Sequence, residues 1–173
     1  MVGGLERLFL DYSVKKLEQL AGRIDDCLDR LSDEQIWRRG SENENAVGNL
    51  VLHLCGNLGQ WLRHGVAGRP DVRRRSEEFA ERGPLPAREL RRMLREAMDA
   101  ATGIIGGLDA QRLVEGIVVQ GYKVSVLEAV YHVVEHFAQH TGQIIYATKQ
   151  MTGEDLGYYA HLEGRRSGGS PVP

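Results

Sequence analysis

Three histidines, His132, His136 and His140, recur every four residues in Tyr131-His132-Val133-Val134-Glu135-His136-Phe137-Ala138-Gln139-His140-Thr141-Gly142-Gln143. On an α-helix each such step leaves neighbouring members only about 40° apart, so adjacent members share one face. Two imidazoles one turn apart can both reach a single metal ion, which is why such pairs recur in helical metal sites. A third ligand is needed, and His53 offers one from the middle of Leu50-Val51-Leu52-His53-Leu54, where it is expected to face the interior or its edge. Taken singly the signals are bland, because a lone histidine among leucines is usually a core residue and a histidine pair is common on solvated helices. Together they favour a metal site, since three of the six histidines crowd into nine residues and His53 lies on a segment expected to face the same core.

Rival chemistries meet the same residues. His132-Val133-Val134-Glu135-His136 matches the HxxEH pattern of inverted zincins, with Glu135 as general base. That site also needs a downstream helical glutamate, and only Glu154 and Glu163 follow Met151. A di-iron carboxylate site needs paired ExxH motifs, and no ExxH occurs in the chain.

The elements that must position these histidines are readable from periodicity. Apolar residues Leu5, Leu8, Phe9, Tyr12, Leu17, Leu20, Ile24, Leu28 and Leu31 predict a first helix over 5–31. Ser32-Asp33-Glu34-Gln35 reads as a stop and a capped short turn. A second helix is predicted over 46–64, ended by Gly65, Gly68 and Pro70, and a third over 87–105, opened by Pro86 and closed by Gly106-Gly107. The β-branched stretch 113–124 around Gly121 predicts a short hairpin or extended crossover. Ser125 and Glu128 form a capping box for a fourth helix reaching about Met151. The expected fold is all-α, a four-helix bundle over 1–151, with a glycine-rich tail over 152–173 whose end is expected to be disordered.

Composition narrows the function classes. The chain has 173 residues, 42% hydrophobic and 27% charged, with a formal net charge of −2. This excludes wholesale disorder and gives no basic surface for general nucleic-acid binding. No apolar run approaches the roughly 20 residues that span a bilayer. Glu6, Arg7 and Asp11 fall where a secretion signal would carry its apolar block, and the two cysteines, Cys27 and Cys55, form no CxxC. A reducing cytoplasm is therefore the expected compartment, with both thiols as small core fillers and Cys55 turned away from whatever His53 faces. The arginine-rich stretch 69–95, interleaved with Glu77, Glu78, Glu81 and Glu89, is expected to be a solvated loop and helix face. Tyr158, Tyr159 and His161 could pack over a partner subunit.

His53, with His136-Phe137-Ala138-Gln139-His140-Thr141-Gly142-Gln143, resembles the DinB/YfiT-like superfamily of small bacterial four-helix proteins over about 5–151. In that superfamily one histidine on the second helix and an HxxxH pair on the last bind a divalent metal. The pair is often followed by a Gly-Gln step, matched by Gly142-Gln143, and the first histidine often precedes a tryptophan, matched by Trp61. The resemblance implies an up-down-down-up bundle with a long link between helices two and three. It implies His53, His136 and His140 as ligands, zinc or nickel as the metal with iron or manganese as further options, and His132 as a neighbouring or surface residue. Many members carry a second histidine and an arginine where this chain has Gln139 and Thr141, which changes the substrate-facing surroundings.

Characterised relatives include transferases and isomerases that use low-molecular-weight thiols such as bacillithiol or mycothiol. The implied function is a metal-dependent thiol S-transferase acting on small molecules, with a metal-dependent hydrolase or a non-catalytic metal-binding module as alternatives. Asn49 and Asn57 flank His53 by four residues on either side and could support the ligands from behind, and Gln143 follows His140 by three, close enough to orient a ligand or substrate. Glu135 points about 100° from His136 and is given no part. Exposed bundle faces make a homodimer reasonable.

Overall fold

The computed structural model describes residues 4–163. Helix α1 (Gly4–Arg30) buries Leu10, Ser13, Leu17, Leu20, Ile24, Cys27 and Leu28, a stripe stepping by three, four and seven. Leu5, Leu8 and Tyr12, expected on that stripe, face solvent instead. They lie roughly 100° or more around the helix from its centre. The short α2 (Asp33–Ile36) carries the expected cap, with the Ser32 hydroxyl accepting from the Gln35 amide and the Gln35 side chain accepting from the Ser32 amide.

Helix α3 (Val47–Leu58) runs without a break into a π-helical stretch, Gly59–Val66. After α4 (Arg75–Ala80) comes α5 (Ala87–Gly106), which buries Leu90, Leu94, Met98, Ala101 and Ile105. A 3₁₀ turn (Ala110–Val114) leads to strands β1 (Gly116–Val119) and β2 (Tyr122–Ser125), an antiparallel hairpin in which Val119 pairs with Tyr122. Its two-residue loop has φ of 53° at Gln120 and 80° at Gly121. Positive φ at both centres is what a tight turn matching the strand twist requires, and it explains the glycine. Helix α6 (Val126–Thr152) starts at the Ser125–Glu128 box, whose hydrogen bonds are all formed. A last turn, α7 (Ala160–Glu163), follows.

Helix α1 packs against α5 and α6, and α3 packs against the same two, so α1 and α3 occupy opposite corners. Arg7 reaches the Gly106 carbonyl while Arg91 reaches Asp25, so α1 and α5 are antiparallel. Arg30 near the end of α1 pairs with Glu154 beyond the end of α6, which makes those two parallel. The bundle is therefore up-down-down-up. Because α3 and α5 run the same way, the link 67–86 must travel back along the bundle, and it lays α4 against α3.

Beyond α6 the chain turns back on itself, burying Leu156, and the Tyr158 hydroxyl donates to the Arg23 carbonyl at 3.1 Å. The Arg23 guanidinium sits over the Tyr158 and Tyr159 rings. These tyrosines thus pack on the chain's own first helix, with Tyr159 still largely exposed. The expected disordered end of the tail lies outside the described residues. Among the described residues, no helix is long and apolar enough to cross a membrane.

Candidate metal centre

Antiparallel packing of α3 on α6 sets His53 opposite His136 and His140. Apolar neighbours hold the register from both helices, with Leu50, Leu54, Val133 and Phe137 all buried. His53 Nε2 lies 3.1 Å from His136 Nε2, and His140 Nε2 lies 3.3 Å from the same atom. One ligand nitrogen from each ring falls within 4.8 Å of the others.

The outward nitrogens of two rings are already committed. His53 Nδ1 is 2.9 Å from Glu78 Oε2 and 3.0 Å from Arg73 Nη2, whose hydrogens have acceptors in Glu78 Oε2 and the His53 carbonyl; a carboxylate only accepts, so Nδ1 donates to Glu78 and Nε2 is left bare. His140 Nδ1 donates in the same way to Gln143 Oε1 at 2.6 Å. His136 between them can donate from Nε2 to only one of the two bare nitrogens, and its own Nδ1 is buried without a partner. Three converging imidazoles that cannot satisfy one another are a donor set suited to a divalent cation.

Electrostatics favour the neutral form of His136 and His140. Burial, then the neighbouring His140, His53, His132 and Arg73, push His136 down to about 3. Burial also lowers His140, against the hydrogen bond it donates to Gln143, and lowers His132. Neutral rings are the metal-binding form.

Two charged residues that the sequence reading assigned to a solvated loop complete the site. Arg73 holds Glu78 with two parallel bonds, Nε to Oε1 at 2.7 Å and Nη2 to Oε2 at 2.8 Å. Their side chains are only 3% and 10% exposed, which corrects the expectation for this part of 69–95. Burial alone would raise the Glu78 pKa, but hydrogen bonds from Arg73 and His53 outweigh it and hold the carboxylate below its usual range. Phe79 stacks on the His53 ring with centroids 4.7 Å apart.

The remaining expected residues fall into place unevenly. Gln143 touches His140, as above. Asn49 is fully buried but does not touch a histidine; its amide donates to the Glu78 and Glu81 carbonyls at 2.8 and 2.9 Å and so pins the backbone that carries Glu78. Asn57 approaches His132 Nε2 at 3.5 Å. His132 stacks on Trp61, centroids 3.9 Å apart, and stays outside the triad. Glu135 is exposed and Glu154 is paired with Arg30, so the inverted-zincin arrangement is not assembled. Cys55 turns from the histidines and packs, half-buried, against the edge of the core, where it lines a cavity of about 480 Å³ with Leu52, Gly56, Leu85 and Met93. Burial and the Glu78 charge push its thiol up to about 12, which leaves it protonated.

No curated protein matches this chain. Several solved structures share its fold, two of them as follows. A conserved protein from Enterococcus faecalis is 14% identical with a TM-score of 0.67, over 83% of this chain and 97% of that one. A DinB-like protein, YjoA, from Bacillus subtilis is 15% identical with a TM-score of 0.66, over 86% of this chain and 97% of that one. The sequence profile of DUF1572, described as a protein of unknown function, matches residues 5–162, and the chain belongs to that family.

Proposed function

We propose that this protein is a divalent-metal-dependent enzyme of the thiol S-transferase type, with His53, His136 and His140 holding zinc or nickel. The observation that carries the metal part is the convergence of three Nε2 atoms while Glu78 and Gln143 occupy the Nδ1 atoms of two rings. The resemblance to thiol-using relatives supports the reaction class. A divalent ion at this position would supply a Lewis acid that favours the deprotonated form of a thiol near neutral pH.

Around that position the chain supplies orientation. Gln143 fixes the His140 ring, Glu78 fixes His53, and Phe79 and the Trp61–His132 stack present aromatic surface beside the histidines. In the overall reaction a sulfur–carbon bond forms between thiol and electrophile. The carbon–halogen bond, or one carbon–oxygen bond of an epoxide, breaks with its electron pair: the halide departs, while the epoxide oxygen stays on the product and takes up a proton, and the thiol proton passes to solvent. The substrate would be a small molecule and the thiol a free low-molecular-weight one. The two unpaired cysteines suit a reducing cytoplasm.

The test is a turnover screen of zinc- and nickel-loaded protein with bacillithiol, mycothiol, glutathione and cysteine against alkyl and aryl halides and epoxides. Turnover that disappears in His136→Ala supports the reading. No turnover with any pair, from protein shown to hold its metal, would leave a binding module in its place.

A further inference from the structure

We infer that Glu78, clamped by Arg73 and admitted by Gly56, is a positioning residue that sets His53 in its metal-binding tautomer. The inference rests on the metal-binding reading above and extends it to the link between α3 and α5. Glu78 is nearly buried, and its Oε2 lies 2.9 Å from His53 Nδ1. Arg73 Nη2 lies 3.0 Å from the same nitrogen, but its two hydrogens have acceptors in Glu78 Oε2 and the His53 carbonyl, so the ring donates from Nδ1 to the carboxylate, which leaves Nε2 without a proton and its lone pair facing His136 and His140. Arg73 cannot accept a proton, so its two bonds to Glu78 hold the carboxylate ionised and prevent it from rotating away.

The close approach needs a gap in α3. A Cβ added to Gly56 would stand 2.0 Å from Glu78 Oε1 and 2.9 Å from Arg73 Nε, so even alanine there must displace the pair. Glycine in a helix interior is ordinarily unfavourable. Its presence one turn from His53 has a reason in this contact. Asn49 adds to the same end by tying the Glu78 and Glu81 carbonyls to the start of α3. The link is thereby anchored to the site by its own Arg73 and Glu78 side chains and by Asn49 from α3.

The test compares wild type with Glu78→Gln, Gly56→Ala and, as a control, Glu77→Gln, whose side chain is 66% exposed. Two readouts are taken. One is zinc Kd by chelator competition; the other is the His53 tautomer in metal-free protein, read from ¹⁵N-histidine NMR. In Glu78→Gln the amide can turn its NH₂ towards Nδ1 and let the ring proton move to Nε2. We expect zinc Kd to rise roughly 10- to 100-fold there, and in the same direction for Gly56→Ala. Both variants should lose the exclusive Nδ1–H form, while Glu77→Gln matches wild type.

Wild-type Kd in Glu78→Gln and Gly56→Ala would overturn the proposal. So would a weaker Kd with an unchanged tautomer, since Glu78 would then act only on the fold. If Glu78→Gln does not fold, Gly56→Ala decides, because it keeps every charged group. If wild type itself refuses zinc, the metal reading fails, and the tautomer alone still decides what Glu78 does to His53.

Discussion

Two arginine–carboxylate pairs in this protein have almost the same geometry and very different surroundings. Between α1 and α5, Arg91 grips Asp25 with two bonds of 2.6 Å, and the side chains are 32% and 39% exposed. Between the link and α3, Arg73 grips Glu78 with bonds of 2.7 and 2.8 Å, and the side chains are 3% and 10% exposed. The first adds Asp29 as a further solvated partner; the second adds His53, a residue of the candidate metal centre. In water the attraction of an ion pair is screened and its side chains lose entropy, so little is gained. Away from water the desolvation of both charges roughly cancels their attraction, so the pair is weak as glue. What a buried pair does supply is a fixed direction for its free acceptor atom, and here that atom meets an imidazole.

Breaking the buried pair on one side is therefore the largest expected effect. Arg73→Met leaves Glu78 charged and uncompensated, and urea unfolding of the metal-free protein should show a loss of about 3–5 kcal/mol. The double variant Arg73→Met, Glu78→Met should recover most of that stability, because it removes both desolvated charges, yet it should not recover zinc affinity. Recovery of both would dissociate the pair from the metal centre.

An intermediate effect is expected from pH. His136, His140 and His132 all have lowered folded pKa values, His136 to about 3, so below the ordinary histidine value near 6.5 the unfolded chain binds more protons than the folded one. The stability they contribute is complete above about pH 6.5 and is lost as pH falls towards the folded values. Melting of metal-free protein in chelator should thus drop in temperature between pH 7 and pH 5, above the range where carboxylates such as Glu78 begin to titrate. His136→Gln should flatten that drop. The smallest effect belongs to the solvated pair: Arg91→Met should change stability by less than about 1 kcal/mol, with added salt reducing the difference, and leave zinc affinity alone.

Much of this arrangement was legible before any coordinates. The long helices and the hairpin follow from periodicity, from the Ser125–Glu128 box and from Gly121. The histidines follow from four-residue spacing plus one histidine inside a leucine run. What escaped was whatever depended on contacts distant in sequence. Arg73 and Glu78 sit in a segment with the composition of a solvated loop, and nothing local distinguishes Glu78, buried, from Glu77, exposed. The one available sign was Gly56, a helix-interior glycine among good apolar positions, which implies a close neighbour without naming it. Asn49 was found by its spacing from His53, but its partners, the Glu78 and Glu81 carbonyls, were hidden, since spacing along α3 says nothing of where the link returns. The exposure of Leu5, Leu8 and Tyr12 was likewise hidden, because an apolar type does not show which face of α1 meets the bundle.

The account stands or falls on whether the three imidazoles hold a metal. Elemental mass spectrometry of protein purified without a histidine tag or chelator, beside His53→Ala and His136→Ala, measures this directly. We predict near-stoichiometric zinc or nickel in wild type and almost none in either variant. A wild type that is empty, and stays empty after incubation with zinc or nickel, would contradict the account and leave the histidine cluster as a packing feature between α3 and α6.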